Sequence, residues 1–223
     1  MRGFTAVLEA PRSEGAPVLL LLHGTGGDEQ SLLPLGRALA GDAGLLAPRG
    51  PVTEGDGVPR FFTRIPTGEP GPYPFTFDDA EIADRGRELA EAARERLAEE
   101  GLADRPLIAV GFSNGANMAT VLPLLEPELL RAVVAFAPMP VMTAPPEASL
   151  ATLGAWLGTG RHDPIATPEG VEAVARTLAD RGAACAVARY EGGHEVTREA
   201  ADAAAGWLGT LRAATADPGK PLP

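Results

Sequence analysis

Seven short apolar runs recur along the chain, separated by longer stretches in which apolar and polar residues mix. The runs are FTAVLEA (4–10), PVLLLL (17–22), GLLAPR (44–49), RPLIAVGF (105–112), RAVVAFA (131–137), GAWLGTG (154–160) and ACAVARY (184–190). Most are continuously apolar, the pattern of strands covered by helices on both faces of a largely parallel sheet. The first has the weakest pattern and fits an edge strand.

The intervening stretches carry helical spacing. Over 78–100, Ile82, Leu89, Ala93 and Leu97 fall near one face, and Gly101 follows as a stop. Thr167 and Pro168 open a second helix with Val171, Val174 and Leu178 in phase and Gly182 at its end. NGANMATVL after residue 112 is helix-compatible, and 195–212 form a last, alanine-rich helix. This alternation predicts one α/β domain over 1–212, with a mostly parallel central sheet of about seven strands, helices on both faces and ligands at the carboxyl ends of the strands. The remainder, 213–223, reads as a disordered tail.

One stretch breaks the rhythm. Residues 51–77 are rich in Pro and Gly and carry Phe61, Phe62, Tyr73, Phe75 and Phe77, five of the chain's eleven aromatics. A long loop in a compact domain is usually functional or disordered. Two readings stand: a substrate-lining wall, with Phe61, Phe62, Tyr73 and Phe75 in the pocket, or a loop that folds its aromatics onto the core.

Composition narrows the function. At 223 residues, 45% apolar and 22% charged, the chain suits one soluble globular domain. A net charge of -11 excludes a phosphate-binding nucleic-acid surface as the default. VLLLL is too short to span a bilayer, and Glu9, Pro11, Arg12 and Glu14 interrupt any signal-peptide core, so a cytoplasmic protein without membrane insertion is expected. The single Cys185 rules out an intrachain disulfide framework and reads as a buried, inert thiol. His23, His162 and His194 show no metal-ligand spacing, and neither a metal nor a cofactor is called for.

The chemistry gathers where runs end. GFSNGAN places Ser113 in a G-x-S-x-G turn between an apolar run and a helix, the corner that exposes a nucleophilic serine. Serine needs a base to take its proton, and the base needs an acid to orient it. Asp163 follows the GAWLGTG run and His194 follows ACAVARY, so a parallel sheet delivers all three to one edge, in the order Ser, Asp, His. His162, beside Asp163, points elsewhere because adjacent residues diverge. HGTGGDEQSLLPL after VLLLL supplies a glycine turn whose amides can face a developing oxyanion; the backbone N–H groups of Thr25 and Asn114 are the expected donors. A phosphate loop fails here, because Glu29 stands where G-x-G-x-x-G requires glycine. His23 is read as bracing the turn.

HGTGGDEQSLLPL, APRGPV with FF behind it, GFSNGAN, GRHDPI and GGHE together resemble the phospholipase/carboxylesterase family of α/β-hydrolases, over about residues 15–210. The family includes acyl-protein thioesterases, but the match is nearer to its small bacterial carboxylesterases. The resemblance implies Ser113, Asp163 and His194 as a triad, Thr25 and Asn114 as oxyanion donors, no large cap domain and often a homodimer. The activity it implies is hydrolysis of small or medium acyl esters through an acyl-enzyme. The alternatives are an acyl thioesterase or lysophospholipase-type hydrolase, or a binding protein that keeps the fold without turnover. Two departures stand out: Pro123 inside the helix after Ser113, expected to kink or shorten it, and a proline-rich 66–77 stretch.

Overall fold

Each of the seven apolar runs forms a strand of one sheet. A computed structural model describes residues 3–55, 57–70 and 73–215. The strands are β1 (Ala6–Glu9), β2 (Val18–Leu22), β3 (Gly44–Pro48), β8 (Leu107–Phe112), β9 (Ala132–Phe136), β10 (Gly154–Gly160) and β11 (Ala184–Tyr190), in the order β1-β3-β2-β8-β9-β10-β11. Only β1 runs antiparallel, at the edge beside β3; the other neighbours pair in parallel.

The apolar continuity of the strands has a direct cause. Side chains alternate across a strand, so Val18, Leu20 and Leu22 enter one core while Leu19 and Leu21 enter another on the opposite face. Helices α2 (Asp79–Glu99), α3 (Asn114–Leu125) and α4 (Pro168–Ala179) close the first core; α1 (Leu33–Leu39) and α5 (Arg198–Thr215) close the second. The outermost strand, β11, is only half covered, and Val187 on it is 42% exposed.

Local chemistry sets the helix ends. Asp78 caps α2 by accepting the amides of Ala80 and Glu81, and Gly101, at φ +69, ends it. The Thr167 hydroxyl accepts the Gly170 amide and Pro168 starts α4. Pro123 lies in the last turn of α3, which ends two residues later at Leu125, so the helix is neither broken nor split. α5 runs to Thr215, three residues beyond the expected boundary at 212; the rest of the expected tail, from 216 on, lies outside the described residues.

The 51–77 stretch is tied down by two small antiparallel ladders: β4 (Val52–Thr53) with β5 (Pro59–Arg60), and β6 (Ile65–Pro66) with β7 (Phe75–Thr76). Among the described residues, no helix is long and apolar enough to cross a membrane.

The strand order reverses between β2 and β8. The chain leaves β2 toward β3 and returns on β2's other side as β8, which opens a crevice at the carboxyl ends of both strands, where ligands of such sheets bind.

Candidate active site

Ser113 occupies that crevice on a strained corner. Its φ of 52 and ψ of −117 lie in a region that residues with a Cβ rarely adopt. β9 holds it from one side, with the Ser113 amide donating to Phe136 O at 3.0 Å, and α3 from the other, with the Asn117 amide donating to Ser113 O at 2.9 Å. The two glycines of the motif are steric requirements. A Cβ on Gly115 would overlap the carbonyl of Leu22, and one on Gly111 would overlap the carbonyl of Gly115.

The sheet brings the other two residues to this corner. His194 Nε2 lies 2.8 Å from Ser113 Oγ, and His194 Nδ1 lies 2.8 Å from Asp163 Oδ2. A carboxylate only accepts, so Nδ1 carries the proton in the neutral ring and Nε2 is left to accept the serine hydroxyl. The Asp163 side chain is completely buried, and its other oxygen accepts the amides of Ile165 and Ala166 at 2.8 and 2.9 Å. Those donors fix the carboxylate and compensate its burial. The imidazole remains partly open to solvent and packs against Phe112, ring centroids 5.2 Å apart.

The loops bearing Asp163 and His194 are joined directly. The His162 amide donates to Gly192 O at 3.0 Å, and a Cβ at Gly160 would overlap the carbonyls of Gly192 and Gly193. Tyr190 Oη donates to Glu195 O at 3.0 Å from beneath, and burial pushes the phenol up to about 12. His162's own side chain is 78% exposed and turned toward Glu191.

The glycine turn after β2 lies against the same corner, with the position of a Gly24 Cβ only 2.9 Å from the Phe112 ring. The amides of Gly26 and Gly27 are engaged by Pro59 O and Gly24 O, while Thr25 is exposed. The amide of Asn114 is the first of α3, a position that the helix's own hydrogen bonds leave unsatisfied. His23 is buried beneath the turn. Its Nε2 accepts the Gly50 amide at 2.9 Å, so Nδ1–H donates to Gly24 O at 2.7 Å, and burial lowers its pKa below the usual histidine value.

Two asparagines carry roles that the motif did not reveal. Asn114 Oδ1 accepts the Phe61 amide and Asn117 Oδ1 accepts the Met139 amide, each at 2.8 Å. Every residue from Asn114 to Leu124 is buried. A polar side chain on such a helix must find a partner, and that was the available signal.

The pocket assignment needs correction for two residues. Phe61 and Phe62 are 1% and 0% exposed, packed into the main core, with Phe61 against His23 and Phe62 edge-on to Phe77. They are core anchors, because the Phe61 amide is drawn in by Asn114. Tyr73 and Phe75 are only partly buried and pack on each other, with the Arg64 guanidinium 4.5 Å over the Phe75 ring. Cys185 is half-buried, and desolvation pushes its thiol up to about 11, away from thiolate reactivity.

A doubly wound sheet with a positive-φ serine at the β2/β8 switch is an α/β-hydrolase architecture, and solved structures agree. The Bacillus cereus carboxylesterase superimposes with a TM-score of 0.85 at 32% identity, covering 93% of this chain and 94% of that one. The Mesorhizobium loti carboxylesterase gives 0.82 at 31%, over 93% and 95%. No family model matches the chain. In sequence it is 39% identical over 190 residues to the putative hydrolase MhqD of Bacillus subtilis strain 168, 85% of this chain and 91% of that protein. The chain belongs to the phospholipase/carboxylesterase family of α/β-hydrolases.

Proposed function

We propose that this hydrolase is a serine carboxylesterase acting on small or medium acyl esters. The observation that carries the reading is the unbroken chain from Ser113 Oγ through His194 to Asp163, 2.8 Å at each link, at a strained strand–helix corner. Ser113 Oγ attacks the acyl carbonyl while His194 Nε2 takes its proton. Asp163 holds the ring and stabilises the imidazolium that forms. The Thr25 and Asn114 amides, the latter reinforced by the positive end of α3, receive the oxyanion. Collapse expels the alcohol, protonated by His194, and water then releases the acid from the acyl-enzyme by the same steps in reverse. The relatives' carboxylesterase names support the ester as substrate.

The test pairs a p-nitrophenyl ester panel with acyl-CoA substrates and a fluorophosphonate probe. Wild type should hydrolyse the esters and label at Ser113, and Ser113→Ala or His194→Ala should lose on the order of 10⁴-fold or more in kcat. Turnover near wild type in either variant overturns the triad. A wild type that prefers acyl-CoA would make it a thioesterase.

A further inference from the structure

Two hydrogen bonds hold the His194 ring, one between Nδ1 and Asp163 and one between Nε2 and Ser113. Two points define an axis and leave the ring free to tilt about it. The turn behind the ring carries two adjacent glycines, Gly192 and Gly193, and stiffens it little against that tilt. A third contact supplies what the bonds lack. The Phe112 ring lies against the imidazole, with centroids 5.2 Å apart and planes 39° from each other.

Phe112 is the last residue of β8, directly before Ser113, and its side chain packs at the margin of both cores. The same ring meets the glycine turn after β2. A Cβ at Gly24 would stand 2.9 Å from the ring's Cδ1 and 3.3 Å from its Cε1. Gly24 is not one of the positive-φ glycines, so space, not backbone conformation, asks for glycine there. The space is what lets the aromatic ring take this seat.

The ring braces parts that the sheet holds apart. Phe112 and Ser113 come from the end of β8 and His194 from the end of β11, with β9 and β10 between. Beside the Ser113–His194 hydrogen bond, the Phe112–His194 contact is a second tie across that span.

We infer that Phe112 is a positioning residue: its ring, seated in the space left by Gly24, fixes the tilt of the His194 imidazole and keeps Nε2 in line with Ser113 Oγ. The inference rests on the serine-esterase reading above. Phe112 moves no proton itself and acts through His194. Misplacing a reacting group by about 1 Å can cost on the order of a hundredfold in rate, so the loss of the ring falls on the chemical step. Substrate binding, which the tilt of the base does not govern, stays close to normal.

Three variants test it. Phe112→Leu keeps an apolar side chain but removes the flat face, Phe112→Tyr keeps the face, and Gly24→Ala presses a methyl group on the ring. With p-nitrophenyl acetate, Phe112→Leu is expected to lose about tenfold or more in kcat, with KM within about twofold of wild type. Fluorophosphonate labelling of Ser113, which needs the same base but no ester, should slow to match, and Phe112→Tyr should restore both. Gly24→Ala should lower kcat in the wild type and add little in Phe112→Leu, because the ring through which it acts is gone. Should Phe112→Leu not fold, Phe112→Met carries the same comparisons. Wild-type kcat in a Phe112→Leu protein that melts cooperatively, a loss carried by KM, or a folded Phe112→Tyr no better than Phe112→Leu overturns the inference. So does a Gly24→Ala cost that is the same with and without the ring. Each of these outcomes leaves the esterase reading standing. A wild type that neither hydrolyses esters nor labels at Ser113 overturns that reading and this inference together.

Discussion

Asn114 Oδ1 accepts the backbone amide of Phe61 at 2.8 Å, joining the first turn of the helix after Ser113 to a loop 53 positions away in sequence. One residue thus carries two parts: its side chain holds the backbone of Phe61, and its own amide, the first of α3, is the donor proposed for the oxyanion. The two roles separate on mutation. Asn114→Ala leaves a buried amide without its acceptor and should cost about 1–3 kcal/mol of stability, read by guanidinium unfolding. Because the backbone amide remains, turnover should fall far less than in Ser113→Ala. An Asn114→Ala protein as stable as wild type would show that the Phe61 bond contributes nothing.

Gly115→Ala places a methyl group on the carbonyl of Leu22, which lies in a central strand and cannot move aside. A loss of roughly 3 kcal/mol or more is expected, together with loss of activity, because relief of the overlap must shift either β2 or the corner itself. A soluble Gly115→Ala protein with normal melting would contradict the close approach of β2 and α3.

Tyr190→Phe keeps the buried ring and deletes only the hydrogen bond to Glu195 O beneath His194. Stability should fall by about 1 kcal/mol. The informative reading is kinetic: kcat is expected to drop severalfold with KM nearly unchanged, since the base loses support while no substrate contact is altered. A change confined to KM would argue against positioning through His194.

The pH dependence of stability has a defined sign at His23. Burial holds its folded pKa below the ordinary 6.5, so below that pH the unfolded chain binds more protons than the folded one. Stability is complete above about 6.5 and declines as the pH falls from there. Guanidinium unfolding between about pH 7.5 and pH 5 measures the slope. His23→Gln should start lower and decline less steeply over the same window; identical slopes would remove His23 as the source.

The sheet was legible because its strands are buried on both faces, which writes each as an unbroken apolar run such as VLLLL at Val18–Leu22. Helix α1 escaped notice because Leu33–Leu39 is only seven residues long and lacks enough turns to display a period. The ladders over 52–76 are two residues per strand, shorter than any alternation can signal. Phe61 and Phe62 stood out by composition, but which way a loop aromatic turns is decided by long-range partners, here the Asn114 acceptor and the His23 ring. The meeting of Ser113, Asp163 and His194 was readable, since each lies just past the carboxyl end of a strand of one sheet. The pairing of Asn117 with Met139 was not, because nothing in the sequence marks residues 137–153 as a crossover without a helix.

The bond from the His162 amide to Gly192 O, with Gly160 pressed against the same loop, has a mechanical consequence. Asp163 and His194 ride on adjacent strands with their loops clamped together, whereas Ser113 rides on β8, with β9 between. Structurally the site is therefore two pieces, a clamped Asp163–His194 pair and a separate Ser113 corner, which the proposed mechanism would use as acid–base unit and nucleophile. Any flexing of the sheet is therefore expected to fall between Ser113 and His194, across β9, before it separates His194 from Asp163. On the mechanism proposed above, proton transfer from the serine is then the step most exposed to the breathing of the fold.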